Sequence, residues 1–95
     1  MRVQFVERVN GPERLLCEAE IVFDETGPLE GLKLVGFSVW RSPEGDPGVT
    51  FPARSFGAGG ERRFFDLLRA IEPGGTDVRR VKDWIISEWR AAKAA

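Results

Sequence analysis

The feature that most constrains this chain is the strict alternation from Leu15 to Phe23. Leu15, Cys17, Ala19, Ile21 and Phe23 fall on one side and Leu16, Glu18, Glu20 and Val22 on the other. That is the period of a β-strand with one face on a core and one toward water, as in an antiparallel sheet. A shorter alternation over residues 3–9, with Val3, Phe5 and Val9 apolar, precedes it and ends at Asn10-Gly11-Pro12. An Asn-Gly pair between two apolar segments predicts a hairpin. A third strand is expected from Leu32 to Trp40. Leu32, Leu34, Gly36, Ser38 and Trp40 share one face, and Val35, Phe37 and Val39 the other. Gly36 within this run predicts a bulge or a close backbone approach. After the Pro/Gly-rich turn at 42–48, Val49-Thr50-Phe51-Pro52 reads as a fourth strand, with Pro52 marking an edge, a bulge or a strand end.

The second half of the chain is read differently. Residues 55–60, Ser-Phe-Gly-Ala-Gly-Gly, are expected to form a flexible loop. Arg62 to Glu72 is ambiguous. Phe64, Leu67, Leu68 and Ile71 fit helical spacing, but Pro73-Gly74-Gly75 ends the segment abruptly. Thr76 is suited to an N-cap and Asp77 to a first turn. Val78, Val81, Trp84, Ile85 and Trp89 then mark the apolar stripe of a helix reaching about residue 92. The fold class expected is α+β: a small antiparallel β-sheet of four to five strands followed by a C-terminal amphipathic helix. Residues 1–95 form one domain.

Composition narrows the function. The 95 residues contain no histidine and one cysteine. Ser-His-Asp triads, Cys-His dyads, His-ligated zinc and an intramolecular disulfide are excluded. Cys17 shares its strand face with Leu15, Ala19 and Ile21 and reads as a buried small hydrophobe. Gly57-Ala58-Gly59-Gly60 lacks the Gly-Lys-Ser/Thr ending of a P-loop. No apolar run is long enough to span a bilayer and the start has no signal-peptide core, so a cytoplasmic protein is expected. No metal, cofactor or membrane partner is expected, and no catalytic set presents itself.

Charge is unevenly placed. Residues 1–50 hold five basic and nine acidic side chains, whereas residues 51–95 hold nine basic and six acidic ones. In the second half Arg54 follows Pro52, Arg62 and Arg63 adjoin the glycine cluster, and Arg79, Arg80 and Lys82 open the final helix. Cations at a helix start oppose the macrodipole, while guanidinium forks and helix N–H donors suit phosphate oxygens. Either Asp77 and Asp83 neutralise these cations on a solvated face, or the cations meet a polyanion. Trp84 and Trp89 either both cover the sheet of their own subunit or place one ring across a dimer interface.

The order of these segments resembles the stage V sporulation protein G family, small bacterial regulators also described as septation proteins. The resemblance runs from about Val3 to Trp89. It rests on Phe5-Val6-Glu7-Arg8-Val9-Asn10, Ala19-Glu20-Ile21-Val22-Phe23-Asp24, Leu34-Val35-Gly36-Phe37, Val49-Thr50-Phe51-Pro52-Ala53-Arg54, and Gly60-Glu61-Arg62 through Ala70-Ile71. Ser55 stands where the family typically has a second basic residue, and the loop at 25–31 is longer than usual. The resemblance implies that Arg62–Glu72 is a strand of the sheet and that the protein is a homodimer. It also implies DNA or RNA binding in gene regulation, with Arg54 and Arg62 as basic contacts. Arg63, Arg79, Arg80 and Lys82 are added on charge alone. The expected function is therefore a non-enzymatic, dimeric nucleic-acid-binding regulator. The alternative is a protein-interaction module using a sheet edge or the Trp-bearing helix.

Overall fold

A computed structural model describes residues 1–57, 59, 60 and 63–94. The first four strands, β1 (Arg2–Val6), β2 (Leu15–Val22), β3 (Lys33–Arg41) and β4 (Pro47–Thr50), form one antiparallel sheet in chain order. β5 (Ala53–Phe56) and β6 (Arg63–Asp66) pair only with each other, and α1 (Asp77–Ala94) closes the chain. The α+β class and the C-terminal helix are thus present.

One face of the four-stranded sheet is covered by the helix. Cys17, Ala19 and Ile21 of β2 join Phe37 and Val39 of β3, with Val49, Phe51 and the helix residue Ile85, in one buried cluster. Val78, Val81, Trp84 and Trp89 pack on it from the helix, and Val3 and Phe5 from β1. Both tryptophans therefore cover the sheet of their own chain. The opposite face is solvated. There Arg8 pairs with Glu18 at 3.0 Å and Lys33 with Glu20 at 3.1 Å, while the Trp40 indole N–H donates to the Thr50 hydroxyl at 2.8 Å.

Two bulges correct the assignment of faces. Leu15 is opposite Trp40 and Cys17 opposite Val39, so Leu16 is an extra residue on β2. An inserted residue reverses the alternation beyond it. Leu16, read as solvent-facing, accordingly packs on the core, and Leu15 does not join it. The second bulge lies on β3. Ala19 is opposite Phe37 but Ile21 is opposite Leu34, which leaves Val35-Gly36 with one residue too many. Leu34 thereby turns onto the core, whereas Val35, expected beside Phe37, is 50% exposed. Gly36 makes this possible with a φ of 104°, a region unfavourable to any side chain.

Three boundaries also move. β1 stops at Val6, not at residue 9, and Val9 is solvent-exposed. The fourth strand runs from Pro47 to Thr50. Phe51 and Pro52 lie beyond it, both buried, and Pro52 ends the ladder it cannot join. The helix begins at Asp77 as expected, with the Arg80 N–H donating to the Thr76 carbonyl at 2.9 Å.

The largest departure is the segment after Pro52. Ser55 and Phe56, read as part of a loop, belong to β5, and Arg63–Asp66 within the ambiguous Arg62–Glu72 segment form β6. The helical spacing there is accidental. Phe64, Leu67 and Ile71 are exposed, and only Leu68 packs on the core. A segment cut short by Pro73-Gly74-Gly75 cannot repay helix nucleation, while β5 offers a ready strand partner. Strands β5 and β6 form a ribbon of their own rather than extending the sheet. The Leu67 N–H donates to the Pro52 carbonyl at 2.8 Å, which fastens the base of the ribbon to the core. The radius of gyration, 14.7 Å, exceeds the roughly 12–13 Å of a compact chain this long. All eight ribbon residues are exposed, and this projection fits the excess.

Candidate nucleic-acid interface

The ribbon's register decides which of its side chains share a face. Ala53 is opposite Asp66, Arg54 opposite Phe65, Ser55 opposite Phe64 and Phe56 opposite Arg63. Residues directly opposite in an antiparallel pair point the same way, and residues two apart on a strand do so too. Arg54, Phe56, Arg63 and Phe65 therefore occupy one face, with each arginine opposite a phenylalanine. Ala53, Ser55, Phe64 and Asp66 occupy the other.

The side-chain geometry agrees with this placement. The Phe56 and Phe65 rings meet edge to face, with centroids 5.4 Å apart and planes at 70°. The Arg54 guanidinium carbon lies 5.1 Å from the centroid of the Phe56 ring. Phe56 is 48% and Phe65 44% exposed, so each ring keeps about half its surface open to a ligand. Among the described residues, neither Arg54 nor Arg63 makes an ion pair. The only carboxylate of the two strands, Asp66, is on the opposite face.

The six cationic candidates thus divide. Arg54 and Arg63 come together on the ribbon. Arg62 lies outside the described residues. The other three are on α1 and each has a local partner. Arg79 lies 3.9 Å from Asp83 and Arg80 3.5 Å from Asp77, both as exposed pairs worth about 0.3–0.5 kcal/mol. Lys82 is half-buried with its ammonium 5.6 Å from the Phe51 ring centroid, where it caps the core. Arg80 also borders a cleft of about 350 Å³ between sheet and helix whose other lining residues include Ile21, Phe23, Leu68 and Trp84.

No family model matches this chain, and no curated protein or solved structure matches it either. The chemistry of the site accordingly rests on its own residues. Among the described residues no group of three metal-ligating side chains is present, and no helix is long and apolar enough to cross a membrane.

Cys17 is packed away from this site. It is 4% exposed, and burial pushes its thiol up despite the opposing charge of Lys93. A raised thiol on a core strand is a poor nucleophile. A thiol reagent such as DTNB at pH 7 should therefore modify it about a thousandfold or more slowly than in the unfolded chain, with a rate that rises as urea opens the core. Rapid modification of the native protein would contradict its placement.

Phe56 and Phe65 are the residues that sequence reasoning missed. Phe56 fell in the expected loop, and Phe65 lay off the helical stripe. The available signal was the pair of runs Arg54-Ser55-Phe56 and Arg63-Phe64-Phe65 on either side of a glycine cluster. Glycine-containing connections of that kind join hairpin strands, and Gly57 and Gly59 adopt φ values of 129° and 83°.

Proposed function

We propose that this protein is a non-enzymatic, dimeric nucleic-acid-binding regulator that contacts phosphates through the β5–β6 ribbon. The observation that carries this reading is the ribbon face itself. Two arginines without carboxylate partners among the described residues alternate with two open aromatic rings on a projecting strand pair. Guanidinium forks match phosphate oxygens, and such contacts supply most of the affinity for a polyanion. The resemblance of the segment order to the stage V sporulation protein G family supports the same reading, as does the excess of basic residues in the second half.

The dimer is supported by the ribbon's isolation. A two-stranded hairpin alone is marginally stable in water, and here its second face exposes Phe64 at 71%. A second copy covering Phe64 would leave the arginine-bearing face free. Sedimentation equilibrium is expected to give a dimer, with Phe64→Asp shifting it toward monomer.

Binding should be tested by fluorescence anisotropy with labelled DNA and RNA pools at about 50 and 200 mM salt. Two phosphate contacts per ribbon give a loss of about tenfold over that range, and two ribbons on the order of a hundredfold. Arg54→Ala and Arg63→Ala should each lower the salt slope by about one per ribbon. A folded dimer that binds no nucleic acid at either salt would overturn the reading in favour of a protein-interaction module.

A further inference from the structure

We propose that the Arg54, Phe56, Arg63 and Phe65 face is a stacking platform for single-stranded DNA. This rests on the nucleic-acid reading above and adds which form of nucleic acid the ribbon selects and which side chains select it. A patch that only neutralised phosphates would gain nothing from open phenyl rings in its centre. Yet Phe56 and Phe65 stand there, 48% and 44% exposed, and neither is in the buried core cluster or packed against it.

A phenyl ring has no donor or acceptor with which to read a base edge. In a duplex the edges are what the grooves present, because the base faces are already stacked on one another. A single strand offers free base faces, and aromatic side chains stack on any of them with little regard to sequence. The arginines then sit where a backbone would pass. Arg54 lies against Phe56, and Arg63 is directly opposite Phe56 across the ribbon. A base on the open part of the Phe56 ring thus has Arg54 and Arg63 as the neighbouring cations for its flanking phosphates. The edge-to-face geometry of Phe56 and Phe65, 5.4 Å apart at 70°, presents two differently inclined rings, one for each of two neighbouring bases.

Charge complementarity fits a phosphate-bearing strand, and no group of the face is left over for a 2′-hydroxyl. Asp66, the carboxylate of the two strands, points to the other face, so a phosphate meets no opposing charge from them. Proteins that require RNA engage its 2′-hydroxyl with hydrogen-bonding groups. Here the hydrogen-bonding side chains of the face are Arg54 and Arg63, which the phosphates occupy, and Ser55, the only hydroxyl on the two strands, is on the other face. A deoxyribose strand supplies every group the platform uses.

The test is a comparison of a labelled mixed-sequence 12-nucleotide DNA, single-stranded and annealed to its complement, by anisotropy at 50 mM salt. The single strand is expected to bind at least tenfold more tightly. Phe56→Ala and Phe65→Ala should each weaken it about tenfold, and Phe65→Trp should keep or improve binding. Phe65→Leu should weaken it about as much as Phe65→Ala does, which separates stacking from mere bulk. Ser55→Ala, on the opposite face, serves as the control for ribbon integrity and should leave single-strand binding within about twofold. Equal or tighter binding of duplex, with arginine substitutions harmful and phenylalanine substitutions neutral, would overturn the stacking platform and leave the phosphate reading standing. Single-stranded RNA bound in place of DNA would overturn the choice of ligand. Loss of the dimer in Phe56→Ala or Phe65→Ala would show that a second copy covers this face and would overturn the proposal. A folded protein that binds no nucleic acid of any kind would remove both readings together.

Discussion

Replacing Phe37 with alanine is expected to cost about 3–5 kcal/mol of folding free energy. Phe37 is completely buried at the centre of the sheet. Its ring meets Phe51 edge to face, with centroids 5.3 Å apart and planes at 77°. The alanine variant loses the transfer free energy of the ring and the aromatic pair, and it leaves a cavity that neighbouring strands cannot close. For a chain of 95 residues the whole stability is roughly 5–14 kcal/mol. The substitution thus removes a large share of it. In urea the midpoint should fall by about 2 M or more with little change in slope. A fall of less than about 0.5 M would mean that Phe37 is not packed as described. The contrast with Phe65 is useful. That ring is 44% exposed on the ribbon, and Phe65→Ala should change stability by no more than about 1 kcal/mol. Core and ribbon therefore predict opposite phenotypes: one variant loses stability, and the other stays stable but binds poorly.

The same contrast explains which parts of the molecule could be read from its residues. Hydrophobic alternation finds an element because burial imposes it. β2 was legible for that reason, since Cys17, Ala19 and Ile21 all face the core. The pattern cannot say which of two adjacent apolar residues turns inward. Leu15-Leu16 and Leu34-Val35 are such pairs, and at both a bulge made the choice. Only the partner strand's register reveals the extra residue. The ribbon was harder to read because neither of its faces is buried. Its segments carry no core pattern, and a glycine-rich stretch separates them. Charge still located Arg54 and Arg63, because charge needs no burial to be visible. The rings between them became part of a site only when the register placed all four side chains on one face. Arg79, Arg80 and Lys82 were equally visible by charge, but the fold gives them Asp83, Asp77 and the Phe51 ring as neighbours.

Gly36→Ala should be the most damaging single-methyl change in the protein, at about 2–6 kcal/mol. Two independent costs meet at this position. With φ at 104°, the backbone is in a region that strains any side chain by about 1–3 kcal/mol. An added Cβ would also lie 2.8 Å from the Pro52 Cβ and 3.4 Å from its Cα. Pro52 is a buried, rigid ring, so it cannot swing aside as a flexible side chain would. Overpacking of this kind costs about another 1–3 kcal/mol. The strain also has a direction. Pro52 carries the carbonyl that accepts the Leu67 N–H, the bond that fastens the ribbon's base. Displacing Pro52 should loosen β5 and β6 before the main sheet fails. Hydrogen exchange would then show faster exchange at Leu67 and across the ribbon, with β2 and β3 still protected. Pro52→Gly in the Gly36→Ala background separates the two costs. It removes the Cβ that collides and leaves the φ strain, so the double variant should be more stable than the sum of the single changes by about 1–2 kcal/mol. Simple additivity would mean that the close approach contributes nothing and that backbone strain alone keeps glycine here.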